Sequence, residues 1–214
     1  MPVSGPIQQG FRRLAKVAVR GPMTLFARVR HFNVPDLSGR KGGLLIASNH
    51  QSFFDPVLVG MGLAEPISYL ARRSLFRTPG FGGLLRAVSA HPIARGAVDS
   101  AALKTVLRLL REGEALLMFP EGTRTFDGSL GTFKSGVAAI AVRCGVPILP
   151  VCVEGAYMCW PRSRALPLPG RTAVAYGRLL EPRGKSAEEL AAGLRAEVEE
   201  LQAFLRGYLG HWTS

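Results

Sequence analysis

A chain of 214 residues, 47% hydrophobic and 20% charged, carries enough apolar residues for one substantial core with a small appendage, which excludes a disordered chain and argues against two full domains. Lys and Arg number 27 against 15 Asp and Glu, a formal net charge of +12, so the composition favours an anionic partner: nucleic acid, an acidic membrane surface or a phosphorylated substrate. Cys144, Cys152 and Cys159 form an odd set without metal-ligand spacing; Cys152 sits in an apolar run and reads as a small buried hydrophobe, and the set fits a reducing compartment. There is no run of about 18 uncharged apolar residues to predict an ordinary spanning helix. The N-terminus shows no clean pattern of a secretory signal.

From Ile7 to Phe32 the pattern is amphipathic. Ile7, Phe11, Leu14 and Ala18 follow helical spacing, with Arg12, Lys16 and Arg20 four apart and Arg13 beside them. Gly21-Pro22 breaks the run, and Met23, Leu25, Phe26 and Val29 with Arg28 and Arg30 predict a second short helix. A helix of about 14 residues extends only about 21 Å, short of the roughly 30 Å of a bilayer core. Two such helices can instead lie in the interface with Arg and Lys toward anionic headgroups, or pack on the domain with a solvated basic face. The chain therefore divides into residues 1–35, an amphipathic, membrane-associating two-helix motif, and residues 36–214, the main domain.

Gly43 to Ala47 reads as a buried strand, the chain then turns at Asn49 and His50, and Pro56 opens a helix. Pro66 to Ala71 is a second strand, Phe81 to Val88 a short apolar helix, and His91 to Gly96 a brief strand ending in a charged turn. Ser100 to Arg111 is an amphipathic helix closed by Gly113; Ala115 to Phe119 is another buried strand. Lys134 to Cys144 is helical, Ile148 to Val153 a strand and Thr172 to Tyr176 an edge strand. Ser186-Ala187-Glu188-Glu189 is a capping box opening a helix to about Leu205. This alternation predicts an α/β fold with a largely parallel sheet flanked by helices.

His50 falls at the carboxyl end of a buried strand, where open α/β sheets place ligands. Asp55 follows five residues later; if the turn folds back, its carboxylate can hold the imidazole by Nδ1–H and leave Nε2 as a general base. Asp55 before Pro56 is equally a good helix N-cap. Two more strand-end turns carry Arg95-Gly96 and Glu121-Gly122-Thr123-Arg124, and Arg95 and Arg124 have the planar forks that grip phosphate. His31, His50, His91 and His211 lie far apart without ligand partners, so no metal site is expected. No nucleic-acid motif is present.

The stretch Asn49-His50-Gln51-Ser52-Phe53-Phe54-Asp55 resembles the His-x4-Asp block of the glycerolipid acyltransferase superfamily. Phe119 to Thr125 resembles its FPEGTR block, Ile93-Ala94-Arg95-Gly96 the arginine turn between them, and Val146 to Val151 the fourth block. Ala71 to Phe76 and Phe133 to Gly136 also fit the bacterial 1-acylglycerol-3-phosphate acyltransferases in order and spacing. Arg72 stands where lysine is common in that family, and the segment after Cys159 matches no block. The resemblance implies transfer of an acyl chain from acyl-CoA or acyl carrier protein, as co-substrate, to lysophosphatidic acid, without a metal or other cofactor. His50 and Asp55 would be catalytic. Arg95 and Arg124, with Lys134, would bind the acceptor phosphate; Glu121 would bind an acceptor hydroxyl or fix an arginine, and Gly122 and Thr123 would offer backbone donors. It also implies a protein peripheral or monotopic on the cytoplasmic face of the cell membrane, with an anionic phospholipid surface as partner and no nucleic acid. Other acceptors of the same chemistry are another lysophospholipid, a lyso-ornithine lipid or glycerol 3-phosphate. A basic surface-binding protein without catalysis is the reading from a different class.

Overall fold

The computed structural model describes residues 20–77, 90–93 and 100–210. The expected helices at Ile7 to Ala18 and Phe81 to Val88, and the Arg95-Gly96 turn, lie outside the described residues. Residues 20–27 (α1) are helical, and Arg28 leaves the helix with φ +42°. The second helix was expected to continue through Val29 and Arg30; instead Arg30–Phe32 forms a strand (β1), ended by Asn33 at φ +52°. Tertiary pairing overrides helical spacing here, because Ala27 and Val29 are buried in the core rather than facing outward.

The remaining strands are Leu44–Ser48 (β2), Ile67–Arg72 (β3), Ala90–Ile93 (β4), Ala115–Met118 (β5), Ile148–Glu154 (β6) and Ala173–Tyr176 (β7). The helices are Asp55–Gly62 (α2), Ser100–Arg111 (α3), Gly136–Cys144 (α4), Ala156–Cys159 (α5) and Ala187–Gly210 (α6), with a 3-10 turn at Arg73–Arg77. Together they make a mixed α/β fold around a seven-stranded, mostly parallel sheet in the order β1-β7-β6-β2-β5-β3-β4. Five strands run one way; β7 is antiparallel to β6, and β1 is parallel to β7. Thr172 to Tyr176, expected at an edge, is interior: β1 covers it, Arg30 pairing with Ala173 and Phe32 with Ala175.

After β2 the chain moves toward the β4 edge, and after β5 it crosses back to β6 on the other side of β2. The strand order therefore reverses around β2, the position at which such sheets hold ligands. The carboxyl ends of β2, β5 and β6 share one edge of the sheet. The reversed strands β1 and β7 begin at that same edge, which brings α1 and the segment before β7 to it.

Alternation along β2 shows why the sheet is covered on both faces. Leu44 and Ile46 join Leu58, Val59 and Met61 of α2 in one layer, while Leu45 and Ala47 join the opposite layer with α3, α4 and α6. In α6, Leu190, Leu194, Val198, Leu201 and Leu205 recur every three or four residues and are buried; each contributes roughly 1.5–3 kcal/mol of transfer free energy before entropy is counted. The capping box forms reciprocally: the Ser186 N–H donates to Glu189 Oε2 at 2.8 Å, and the Glu189 N–H to Ser186 Oγ at 3.1 Å. Gly145, left-handed at φ +61°, closes α4 with its N–H on Ala141 and Val142 carbonyls. Among the described residues no helix is long and apolar enough to cross a membrane.

Candidate active site

The turn after β2 is fixed by side chains before its chemistry is considered. Buried Asn49 donates Nδ2–H to Val153 O at 2.9 Å and accepts the Val153 N–H at 2.8 Å, tying the turn to β6. The His50 N–H donates to Glu121 Oε1 at 2.9 Å, and the His50 carbonyl accepts the Thr125 N–H at 2.8 Å, tying it to the loop after β5. Gln51 braces both neighbours: Nε2 donates to Gly128 O and Glu154 Oε1, and Oε1 accepts the Tyr157 N–H.

Asp55 is fully buried and folds back over this turn. Its Oδ2 accepts the His50 Nδ1–H, the Gln51 N–H and the Ser52 N–H, each at 2.7 Å. The N-cap of α2 is Phe54, which makes no side-chain cap bond, so the Asp55 carboxylate serves the turn before the helix instead of capping it. With three donors converging on one carboxylate oxygen, the Nδ1 proton is placed and the Nε2 lone pair is left for chemistry. Nε2 has no hydrogen-bond partner among the described residues, and the side chain is 18% exposed. From one face, Phe119 stacks on the imidazole with centroids 3.8 Å apart and planes 12° apart.

In the loop after β5, Glu121 is buried and both its oxygens accept backbone amides, His50 N–H on Oε1 and Gly131 N–H on Oε2 at 3.2 Å. Burial pushes its carboxyl up, against these amides, which favour the charged form. A Cβ at Gly131 would stand 2.6 Å from Glu121 Oε2, so any side chain there would displace the carboxylate. The Gly122 N–H, expected as a donor to the reacting oxygen, instead closes the turn on Phe119 O. Gly122 has φ +71°, and Lys134 Nζ lies 3.3 Å from where its Cβ would be, so the lysine chain crosses directly above it. Thr123 is exposed, and its N–H makes no hydrogen bond among the described residues. Arg124 lays its guanidinium over the Phe53 ring, 3.4 Å from the centroid, which sets the plane of the fork.

The structure thus brings His50, Asp55, Glu121, Gly122, Thr123, Arg124 and Lys134 to one edge of the sheet, while Arg95 lies outside the described residues. Phe119, Gln51, Gly131 and Trp160 also belong to this edge and were not singled out from the sequence. Trp160 accepts the Ser52 Oγ–H on its carbonyl at 2.9 Å and packs on Phe53 and Phe54. Phe119 immediately precedes the Pro-Glu-Gly turn, which was a usable signal; Trp160 follows in no recognisable block. No group of three or more metal-ligating side chains occurs among the described residues.

The site is thus an acid-oriented histidine with an open Nε2 at the switch point of an α/β sheet. The chain belongs to the acyltransferase family: the family model described as Acyltransferase matches residues 27–154. It is 32% identical over 151 residues to the 1-acyl-sn-glycerol-3-phosphate acyltransferase of Pseudomonas aeruginosa, covering 69% of this chain and 58% of that one. It is 31% identical over 139 residues to the protein of that name from Bacillus subtilis, covering 64% and 68%. The crystal structure of the 1-acyl-sn-glycerophosphate acyltransferase PlsC of Thermotoga maritima matches with a TM-score of 0.74 at 30% identity, covering 92% of this chain and 80% of that one. The match spans only 58% of the Pseudomonas relative and 43% of a chloroplast relative from Arabidopsis thaliana.

Proposed function

We propose that the protein transfers an acyl chain from acyl-CoA or acyl carrier protein to the sn-2 hydroxyl of lysophosphatidic acid, giving phosphatidic acid in phospholipid biosynthesis. The observation that carries this reading is the 2.7 Å contact between His50 Nδ1 and Asp55 Oδ2, with Nε2 left open at the sheet edge. His50 Nε2 takes the proton of the acceptor hydroxyl as the oxygen attacks the thioester carbonyl. The C–S bond then breaks, and the thiolate leaves with the electron pair. A thiolate is a good leaving group, so the step needs neither a covalent enzyme intermediate nor a metal. Asp55 holds the imidazole in the productive tautomer, and Phe119 fixes its plane. Arg124, with Arg95 and Lys134, receives the acceptor phosphate, and the Thr123 N–H, without a hydrogen bond among the described residues, is the backbone donor offered to the reacting oxygen. Glu121 acts as a positioning residue through the His50 amide.

The same reading puts the protein at the cytoplasmic face of the membrane as a peripheral or monotopic enzyme held partly by its N-terminal segment. Support comes from Arg12, Arg13, Lys16, Arg20, Arg28 and Arg30, with no acid from Ile7 to Phe32. The deciding experiment is radiolabelled acyl transfer with the purified protein, both donor types, and a panel of lysophosphatidic acid, other lysophospholipids, lyso-ornithine lipid and glycerol 3-phosphate. Product with lysophosphatidic acid above the others supports the assignment; preference for a phosphate-free acceptor overturns it.

A further inference from the structure

We propose that residues 157–170, α5 and the loop that follows it toward β7, form a second lipid-docking surface at the mouth of the site. This deepens the acyltransferase reading and rests on it for the meaning of the mouth, but not for the surface itself. The segment is short of polar cover. Met158 is 72% exposed, Leu166 76% and Leu168 50%, and Phe126 from the neighbouring loop is 72% exposed. Large apolar side chains left this open in a cluster mark a binding surface rather than ordinary surface scatter.

Ring and backbone contacts tie Phe126, Met158 and Leu168 to one loop, the Leu168 N–H donating to Cys159 O at 2.8 Å. The Arg162 guanidinium lies 4.0 Å over the Phe126 ring, and the Tyr157 hydroxyl donates to Phe126 O at 2.7 Å. Trp160 Nε1–H donates to Arg164 O, and Arg164 donates to Met158 O, folding the segment into a compact loop. Trp160 packs on Phe53, over which Arg124 is stacked, so the loop reaches the proposed phosphate site. On its other side the Gly170 N–H donates to Phe26 O and the Thr172 N–H to Ala27 O, joining the segment to α1. There Leu25 stands 81% exposed.

Charge selects the occupant. Between Gly155 and Thr172 the chain has Arg162, Arg164 and Arg171 and no acid. The nearby acid, Asp127, already accepts hydrogen bonds from Ser129 and Thr125. Protruding Leu, Met and Phe side chains flanked by arginine fit a bilayer interface, where apolar tips enter the acyl boundary and guanidinium groups meet anionic headgroups. An acidic carrier protein would meet the arginines but has less use for so much open aliphatic surface.

The test uses full-length protein and sedimentation with phosphatidylcholine vesicles, with and without phosphatidylglycerol. The double variant Met158→Glu/Leu166→Glu should weaken binding by about tenfold or more, the factor expected for losing one or more inserted side chains. Val142→Glu and Leu179→Glu, at exposed apolar positions elsewhere, should bind as wild type. Arg162→Gln/Arg164→Gln should weaken binding to the anionic vesicles and leave neutral vesicles unchanged. Leu166→Ser, a milder change, serves if the double variant does not fold. Wild-type binding by folded Met158→Glu/Leu166→Glu, or equal loss in the control variants, overturns the proposal. So does intact vesicle binding together with selective loss of acyl carrier protein as donor, which would make this a protein-docking face. Binding is read without turnover, so a failed acyl-transfer assay would overturn the reaction and leave this surface standing.

Discussion

His50 meets its neighbours through three different groups: ring nitrogen, ring face and backbone. His50→Ala should therefore abolish turnover by orders of magnitude while the backbone bonds keep the fold, which a thermal melt beside the transfer assay would check. Asp55→Asn is a harsher change than a lost helix cap. One amide group cannot present a carboxylate to three donors and also find an acceptor for its NH2 in that buried site, so stability should drop by about 1–3 kcal/mol along with activity. Unchanged stability and activity would return Asp55 to the role of a plain cap. Glu121 gives a pH test. Its folded pKa is raised above the unfolded value near 4.5, so the folded state binds more protons between the two values and this group's contribution falls as pH rises through that window. Glu121→Gln removes the titration. The wild-type advantage over the variant in urea midpoints should be greatest at the acid end and shrink with rising pH. Spacing made the His50–Asp55 contact conditional on a turn that folds back, and the resemblance to the His-x4-Asp block is what selected it. The roles of Glu121 and Gly122 were not, because which backbone amides a buried carboxylate reaches depends on the long loop to Gly131, and no local pattern encodes that closure.

At the scale of elements, the strongly patterned ones were legible. β2, β5 and β6 are continuous apolar runs, and α3 and α6 carry clear apolar stripes. The sequence was misleading where an element is short and its partner distant. Arg30–Phe32 has three residues and no alternation, and only pairing with Ala173–Tyr176 makes it a strand. For the same reason β7 looked like an edge. The capping box of α6 was legible because both of its partners are local. Ser186→Ala should remove one reciprocal bond and cost about 1 kcal/mol, measured as a lower denaturation midpoint with activity retained. A loss no larger than that of an exposed control serine would show that packing of the buried stripe alone sets where α6 begins.

For the molecule as a whole, the boundary of the N-terminal segment matters. Removing residues 1–19 takes away Arg12, Arg13 and Lys16, each contributing about 1 kcal/mol near an anionic surface, and leaves α1 and β1 in place. That truncation should weaken sedimentation with anionic vesicles while a water-soluble short-chain acceptor is still acylated. Removal through residue 32 should also lower the melting temperature, because it strips β1 from buried β7 and takes Ala27 and Val29 from the core. Equal melting temperatures for the two truncations would show that β1 adds nothing to the fold. The pairing of Arg30 with Ala173 also sets an order of events during synthesis. As the chain leaves the ribosome, β1 emerges early and has no strand to join until β7 follows, after all the other strands. Throughout that interval the basic segment ahead of β1 is tethered to an unfinished sheet, and under the membrane reading proposed above it would meet a bilayer before the sheet behind it is complete.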